Sequence, residues 1–128
     1  MTEYIHAQKF FFTTGVKEGG YLEIKDGKFG AYSEEKPENA TIIDYADKWI
    51  APGLVDAHIH GYKNHDVMDN DPEGIKVMSS ALLECGVTSF LPTTLTSSRE
   101  RLLAVSKTIR AVKDEVDGAK IQGIYFNL

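Results

Sequence analysis

At 128 residues the chain can bury one compact core and is too short for two large ones. Its 42% hydrophobic and 26% charged residues are those of an ordinary globular protein, and a net charge of -5 without a basic stripe excludes a general nucleic-acid binder. The single cysteine, Cys85, excludes a disulfide framework and a cysteine-rich zinc module. The start lacks a signal-peptide pattern and nowhere do about 18 apolar residues run together, so a soluble, cytoplasmic protein is expected.

Residues Tyr4 to Trp49 carry the signals of short strands and tight turns. Phe10-Phe11-Phe12 is an apolar run ending at Gly15. Tyr21 to Lys25 alternates into Asp26-Gly27, the strongest short hairpin signal, and Lys28 to Tyr32 returns. The charged stretch 33–39, with Pro37, reads as an exposed loop, and Thr41 to Tyr45 as a further strand. Residues 1–50 are therefore expected to form a small antiparallel sheet of roughly three or four strands, too few to bury its own aromatics.

From residue 51 the chain alternates strands with helices, the pattern of parallel β/α units. Leu54 to His60 reads as a short buried strand between Pro52-Gly53 and Gly61. Alternation puts Asp56, His58 and His60 on one face and Val55, Ala57 and Ile59 on the other. Two imidazoles at i and i+2 can converge on one ion at about 2.0–2.1 Å each. An isolated His-x-His is more often plain core or surface. This one lies at the C-terminal end of its strand, where α/β barrels aim their catalytic groups, and Gly61 permits a tight exit. Asp56, two residues earlier, fits a structural hydrogen bond as well as a role orienting a ligand.

The loop 61–70 is polar, and its His65 is a candidate for substrate contact. Asp71 as N-cap, Pro72 and Glu73 open a helix with Ile75, Met78, Ser79, Leu82 and Cys85 on its inner face, Cys85 as a small buried residue, and Gly86 closing it. Val87 to Leu91 is the next strand, ending at Pro92-Thr93-Thr94. Ser97 with Glu100 makes a capping box, followed by the stripe Leu102, Val105, Ile109, Val112 and Val116 before Gly118. Ile121 to Phe126 is a third strand. Three parallel strands leave an open edge, whereas a closed barrel needs eight strands and about 250 residues, so the chain reads as the front part of something larger.

Pro52-Gly53-Leu54-Val55-Asp56-Ala57-His58-Ile59-His60-Gly61 resembles the first-strand signature of the amidohydrolase superfamily, metal-dependent hydrolases built on an α/β barrel with a flanking β-sandwich. Gly86-Val87-Thr88-Ser89-Phe90-Leu91-Pro92-Thr93-Thr94-Leu95-Thr96-Ser97 resembles one branch more narrowly, the N-acetylglucosamine-6-phosphate deacetylases. The resemblance covers essentially the whole chain. It implies an α/β fold: residues 51–128 as the N-terminal part of a (β/α)8 barrel, with about three strands and two helices, and residues 1–50 as a small antiparallel sheet from the flanking sandwich.

The resemblance also implies His58 and His60 as ligands of a divalent metal, zinc or iron. The implied reaction is removal of acetate from N-acetylglucosamine 6-phosphate, a small-molecule amino-sugar phosphate, by metal-activated water. The branch's next motif, Gly-Ile-(aromatic or Leu)-x-Glu-Gly-Pro, puts a metal-binding Glu where this chain has Asn127, followed by Leu128. The branch's remaining histidines and its catalytic Asp come from later strands. The expectation is an N-terminal fragment, inactive by itself, of a deacetylase that forms a homo-oligomer and has neither nucleic-acid nor membrane partners. The alternatives are a dihydropyrimidinase- or hydantoinase-like branch, not expected to carry Ser89 to Thr94, and a non-catalytic oligomerising module.

Overall fold

In residues 2–127, which the computed structural model describes, the chain divides into two compact units, one up to Pro52 and one from Gly53 onward. The first is one sheet built around β1 (Glu3–Phe12). Along one edge of β1 lie β2 (Gly15–Glu18), against Lys9 to Phe12, and β3 (Tyr21–Lys25), against Glu3 to His6, both antiparallel. β4 (Lys28–Ser33) pairs antiparallel with β3 across Asp26-Gly27, whose φ values of 51° and 70° are those of a type I′ turn. β5 (Thr41–Ile50) runs parallel to β1 along its other edge.

The expected antiparallel sheet is thus corrected to a mixed sheet of five strands. A parallel neighbour needs a long crossover rather than a tight turn, and β2 to β4 with the charged loop after them provide one. β2 escaped the sequence reading because all four of its residues are exposed, leaving no alternation to find. The buried centre is Ile5, Ala7, Phe10 and Leu22, with Phe12, Ile24, Tyr32, Ile43 and Ile50 packed around it. The Tyr32 ring stands edge-on to Phe10 and Phe12, with centroids 5.8 and 5.6 Å away.

The second unit carries β6 (Leu54–Ile59), the hairpin β7 (Gly61–Tyr62) and β8 (His65–Asp66), helix α1 (Pro72–Leu82), β9 (Val87–Pro92), helix α2 (Arg99–Val112) and β10 (Lys120–Ile121). β6, β9 and β10 form a parallel sheet in the order β10-β9-β6. α1 begins as its sequence predicts, with Asp71 accepting from the Glu73 N–H at 3.1 Å and Pro72 at the first helical position. α2 is capped one residue later than predicted: Ser98, not Ser97, accepts from the Arg101 N–H. Phe90 of β9 is fully buried and shares one core with Ile75, Met78 and Leu82 of α1 and with Val105, Ile109 and Val112 of α2. No helix among the described residues is long and apolar enough to cross a membrane.

Three further expectations change. β6 is not a buried strand: Leu54 and Val55 are 62% and 67% exposed, because among the described residues β6 lies at the sheet edge and pairs with β9 alone. The third strand is laddered only at Lys120–Ile121 and meets the residue just past β9 at the bridge Thr93–Tyr125, although Gln122 N–H still donates to Phe90 O and Tyr125 N–H to Pro92 O. Cys85 is exposed rather than buried. It ends a 3-10 turn, Leu83–Cys85, whose tighter winding rotates it off the stripe that Ile75, Met78 and Leu82 follow.

α1 is locked to the connection that precedes β10. Ser79, fully buried, donates its hydroxyl to Ala119 O at 2.9 Å and receives the Ala119 N–H on its own carbonyl at 2.9 Å. Any Cβ on Gly118 would overlap the backbone of Ser79 and Ser80. Gly118→Ala is therefore expected to cost about 1–3 kcal/mol through overpacking against an unyielding backbone, read as a lower urea midpoint with the slope unchanged.

Candidate functional site

The two strand histidines meet. His58 Nε2 lies 3.1 Å from His60 Nε2, with the rings at 77°. They do so on an irregular strand: Asp56 faces Phe90 and Ile59 faces Pro92, so β6 holds one residue more than β9 over this interval. Asp56 holds that bulge, since its carboxylate accepts the His58 N–H at 3.0 Å, and its part here is the structural one of the two anticipated. The unbroken alternation expected back to Asp56 does not hold.

His60 is tied on its far side, where Nδ1 lies 3.1 Å from the Thr93 carbonyl oxygen. Thr93, fully buried at the end of β9, also takes the Ile59 N–H on its hydroxyl at 3.0 Å, passes its own hydroxyl proton to Leu91 O at 3.0 Å, and donates its N–H to Ile59 O at 2.8 Å. The Tyr125 ring lies 4.9 Å from the His58 ring, so the chain beyond β10 passes beside the pair. Asn127, two residues on, is half-buried and accepts the Thr96 hydroxyl on its carbonyl at 3.4 Å. Leu128 lies outside the described residues.

Next to Thr93, Thr94 is fully buried, and its Oγ1 is the buried side-chain polar atom that finds no hydrogen-bond partner among the described residues. An unsatisfied buried hydroxyl is a cost that an apolar isostere removes. Thr94→Val is expected to leave the fold intact and raise its stability by about 1 kcal/mol in urea titration.

His65 lies in the hairpin that follows the pair. It pairs with Tyr62 across the Lys63-Asn64 turn, where both residues have positive φ, 52° and 64°, and its ring lies over Gly74 in the first turn of α1. A Cβ on Gly61 would collide with the His65 carbonyl, which is why the chain leaves β6 on a glycine. The stretch read as a polar loop thus holds a hairpin and a 3-10 turn, Val67–Asp69, that buries Val67 and Met68. Two adjacent apolar residues in a polar segment were the available signal. Half-buried Tyr62 and exposed Cys85 share a hydrogen bond of 3.2 Å that raises the tyrosine hydroxyl above its ordinary range, and the Glu84 carboxylate raises the Lys63 ammonium.

No three His, Cys, Asp or Glu side chains come together in a metal-sized group among the described residues. The nitrogen pair His58 and His60 is the candidate donor set. Nitrogens 3.1 Å apart are separated by less than twice the usual zinc–nitrogen bond of about 2.0–2.1 Å, so one ion can touch both. Asn127 could add a carbonyl oxygen but not the negative charge of a carboxylate.

No protein-family model matches the chain. Among curated proteins, the N-acetylglucosamine-6-phosphate deacetylase of Bacillus subtilis (strain 168) is 36% identical over 117 residues, which is 86% of this chain and 30% of the relative. The enzyme of the same name from Vibrio furnissii is 38% identical over 77 residues, 59% of this chain and 19% of the relative. The chain is homologous to part of an N-acetylglucosamine-6-phosphate deacetylase. The crystal structure of the deacetylase from Pasteurella multocida matches 98% of this chain and 34% of its own, with a TM-score of 0.84 at 23% identity, and so has the same fold over that part. The chain spans about a third or less of the length of the deacetylases it matches.

Proposed function

We propose that these residues serve in a metal-dependent hydrolase that cleaves the acetamide of N-acetylglucosamine 6-phosphate, releasing acetate and glucosamine 6-phosphate. The observation that carries this reading is the convergence of His58 and His60 at the carboxyl end of β6, in a chain whose curated relative of that name aligns with 86% of it.

His58 and His60 would hold a divalent ion, zinc or iron, as two neutral nitrogen donors. Such an ion, when bound, supplies an acidified water as nucleophile for amide hydrolysis. The rest is positioning by this chain: Asp56 holds the bulge that carries His58, and Thr93 receives the far nitrogen of His60. Catalytic zinc commonly takes three protein ligands, and Asn127 is an uncharged stand-in for the Glu that the resemblance implies. The 128 residues alone are therefore expected to leave the substrate intact. By the same resemblance, β6, β9 and β10 would be the first three strands of a (β/α)8 barrel, with the remaining ligands and the proton-transferring Asp on later ones.

A sugar phosphate is charged and enters a bilayer only at great cost, which favours a cytoplasmic reaction. The exposed Leu54 and Val55 on the edge strand β6 give a polypeptide of these residues alone a reason to self-associate into a homo-oligomer. The test is acetate release from N-acetylglucosamine 6-phosphate, with ring opening of hydantoin as the control reaction. The complete protein is expected to release acetate and to spare hydantoin, while residues 1–128 alone do neither. Absence of acetate release by the complete, metal-loaded protein would overturn the reading.

A further inference from the structure

We propose that Thr93 is the positioning residue of the histidine pair: it sets His60 in the tautomer that carries its proton on Nδ1, leaving a lone pair on Nε2, the nitrogen that faces His58. The inference deepens the metal reading above and rests on it for its purpose, though not for its geometry. A carbonyl oxygen can only accept, so the 3.1 Å contact between His60 Nδ1 and Thr93 O requires the proton on Nδ1. That hydrogen bond selects the tautomer only if Thr93 O is held still relative to β6.

The regular ladder holds it only in part, because the pairing of β6 with β9 slips between Asp56 and Ile59 and resumes only at Ile59 and Pro92, where the bond from Ile59 N–H to Leu91 O is routed through the Thr93 hydroxyl. The Thr93 hydroxyl substitutes for the ladder. It joins Ile59 N–H at 3.0 Å to Leu91 O at 3.0 Å, while Thr93 N–H takes Ile59 O at 2.8 Å, so the residue preceding His60 is clamped through both of its backbone groups. Thr93 is fully buried, so water does not compete for these bonds. Valine has the same shape but would leave the Ile59 N–H without its acceptor. Serine keeps the hydroxyl.

Long-range proton–nitrogen NMR of the 15N-labelled, metal-free protein, at a pH where His60 is neutral, reads the tautomer directly. The wild type and Thr93→Ser are expected to show His60 with its proton on Nδ1, and folded Thr93→Val a mixture of both tautomers. Titration with zinc is expected to show affinity at least about tenfold weaker for Thr93→Val, and within about twofold of wild type for Thr93→Ser. A wild-type His60 protonated on Nε2, or an unchanged tautomer in folded Thr93→Val, overturns the proposal. Should Thr93→Val not fold, Thr93→Ala is read in its place: a mixture of tautomers is expected, and an unchanged tautomer overturns the proposal. The expected tautomers without zinc binding by the wild type would uphold Thr93 and instead remove the metal reading on which its purpose rests.

Discussion

On the proposed function, replacing either His58 or His60 with alanine is expected to abolish retention of zinc or iron through dialysis and to lower the proposed deacetylation by the complete protein more than about 100-fold. The lower bound follows from the 10–100-fold losses that accompany mutation of groups merely supporting a metal ligand, since removal of a ligand costs more. On the proposed reading, two nitrogens 3.1 Å apart would serve as one chelating pair, and either one alone as a single neutral donor. At His58 the change should not act through unfolding, because the residue is exposed and such positions usually alter stability by less than about 0.5 kcal/mol; for His60, which is half-buried and bonded to Thr93, a urea titration separates loss of stability from loss of the donor. Elemental analysis after dialysis, together with acetate release, checks both parts. Wild-type metal content in His60→Ala would remove this pair from the site. Asn127→Glu is the converse: it adds the charge that the pair lacks and is expected to strengthen zinc binding.

Phe90→Ala is expected to cost about 3–5 kcal/mol, the range for deleting a buried phenylalanine. Phe90 is fully buried on the central strand of its sheet, paired with Asp56 on one side and Ile121 on the other, and α1 and α2 close over the same core. A cavity there has rigid backbone on both sides and little room to collapse. Against typical stabilities of about 5–15 kcal/mol, the loss removes much of what holds this unit. Both α-helices lie in it, so loss of the far-UV helical signal in urea follows its unfolding. A midpoint within error of wild type would show that the core does not rest on this ring.

Local signals in the sequence decided the helices and one turn. Asp71-Pro72 opens α1, the spacing of Val105, Ile109 and Val112 defines the inner face of α2, and Asp26-Gly27 makes the β3–β4 turn. Each of these depends on neighbours within about one helical turn, or on the conformational range of the residues themselves. The i, i+2 spacing of His58 and His60 was legible in the same way, although β6 ends at Ile59 and is bulged just before it, so regular strand alternation does not account for their meeting. The tertiary structure alone decided the parallel pairing of β5 with β1, the exposure of the edge strand β6, the slip in pairing after Asp56, and the hold of Thr93 on Ile59 and His60. All four depend on partners distant along the chain, as Thr93 is 34 residues from Ile59, and no pattern within a single segment specifies which strand will lie beside it or which side will be left to water.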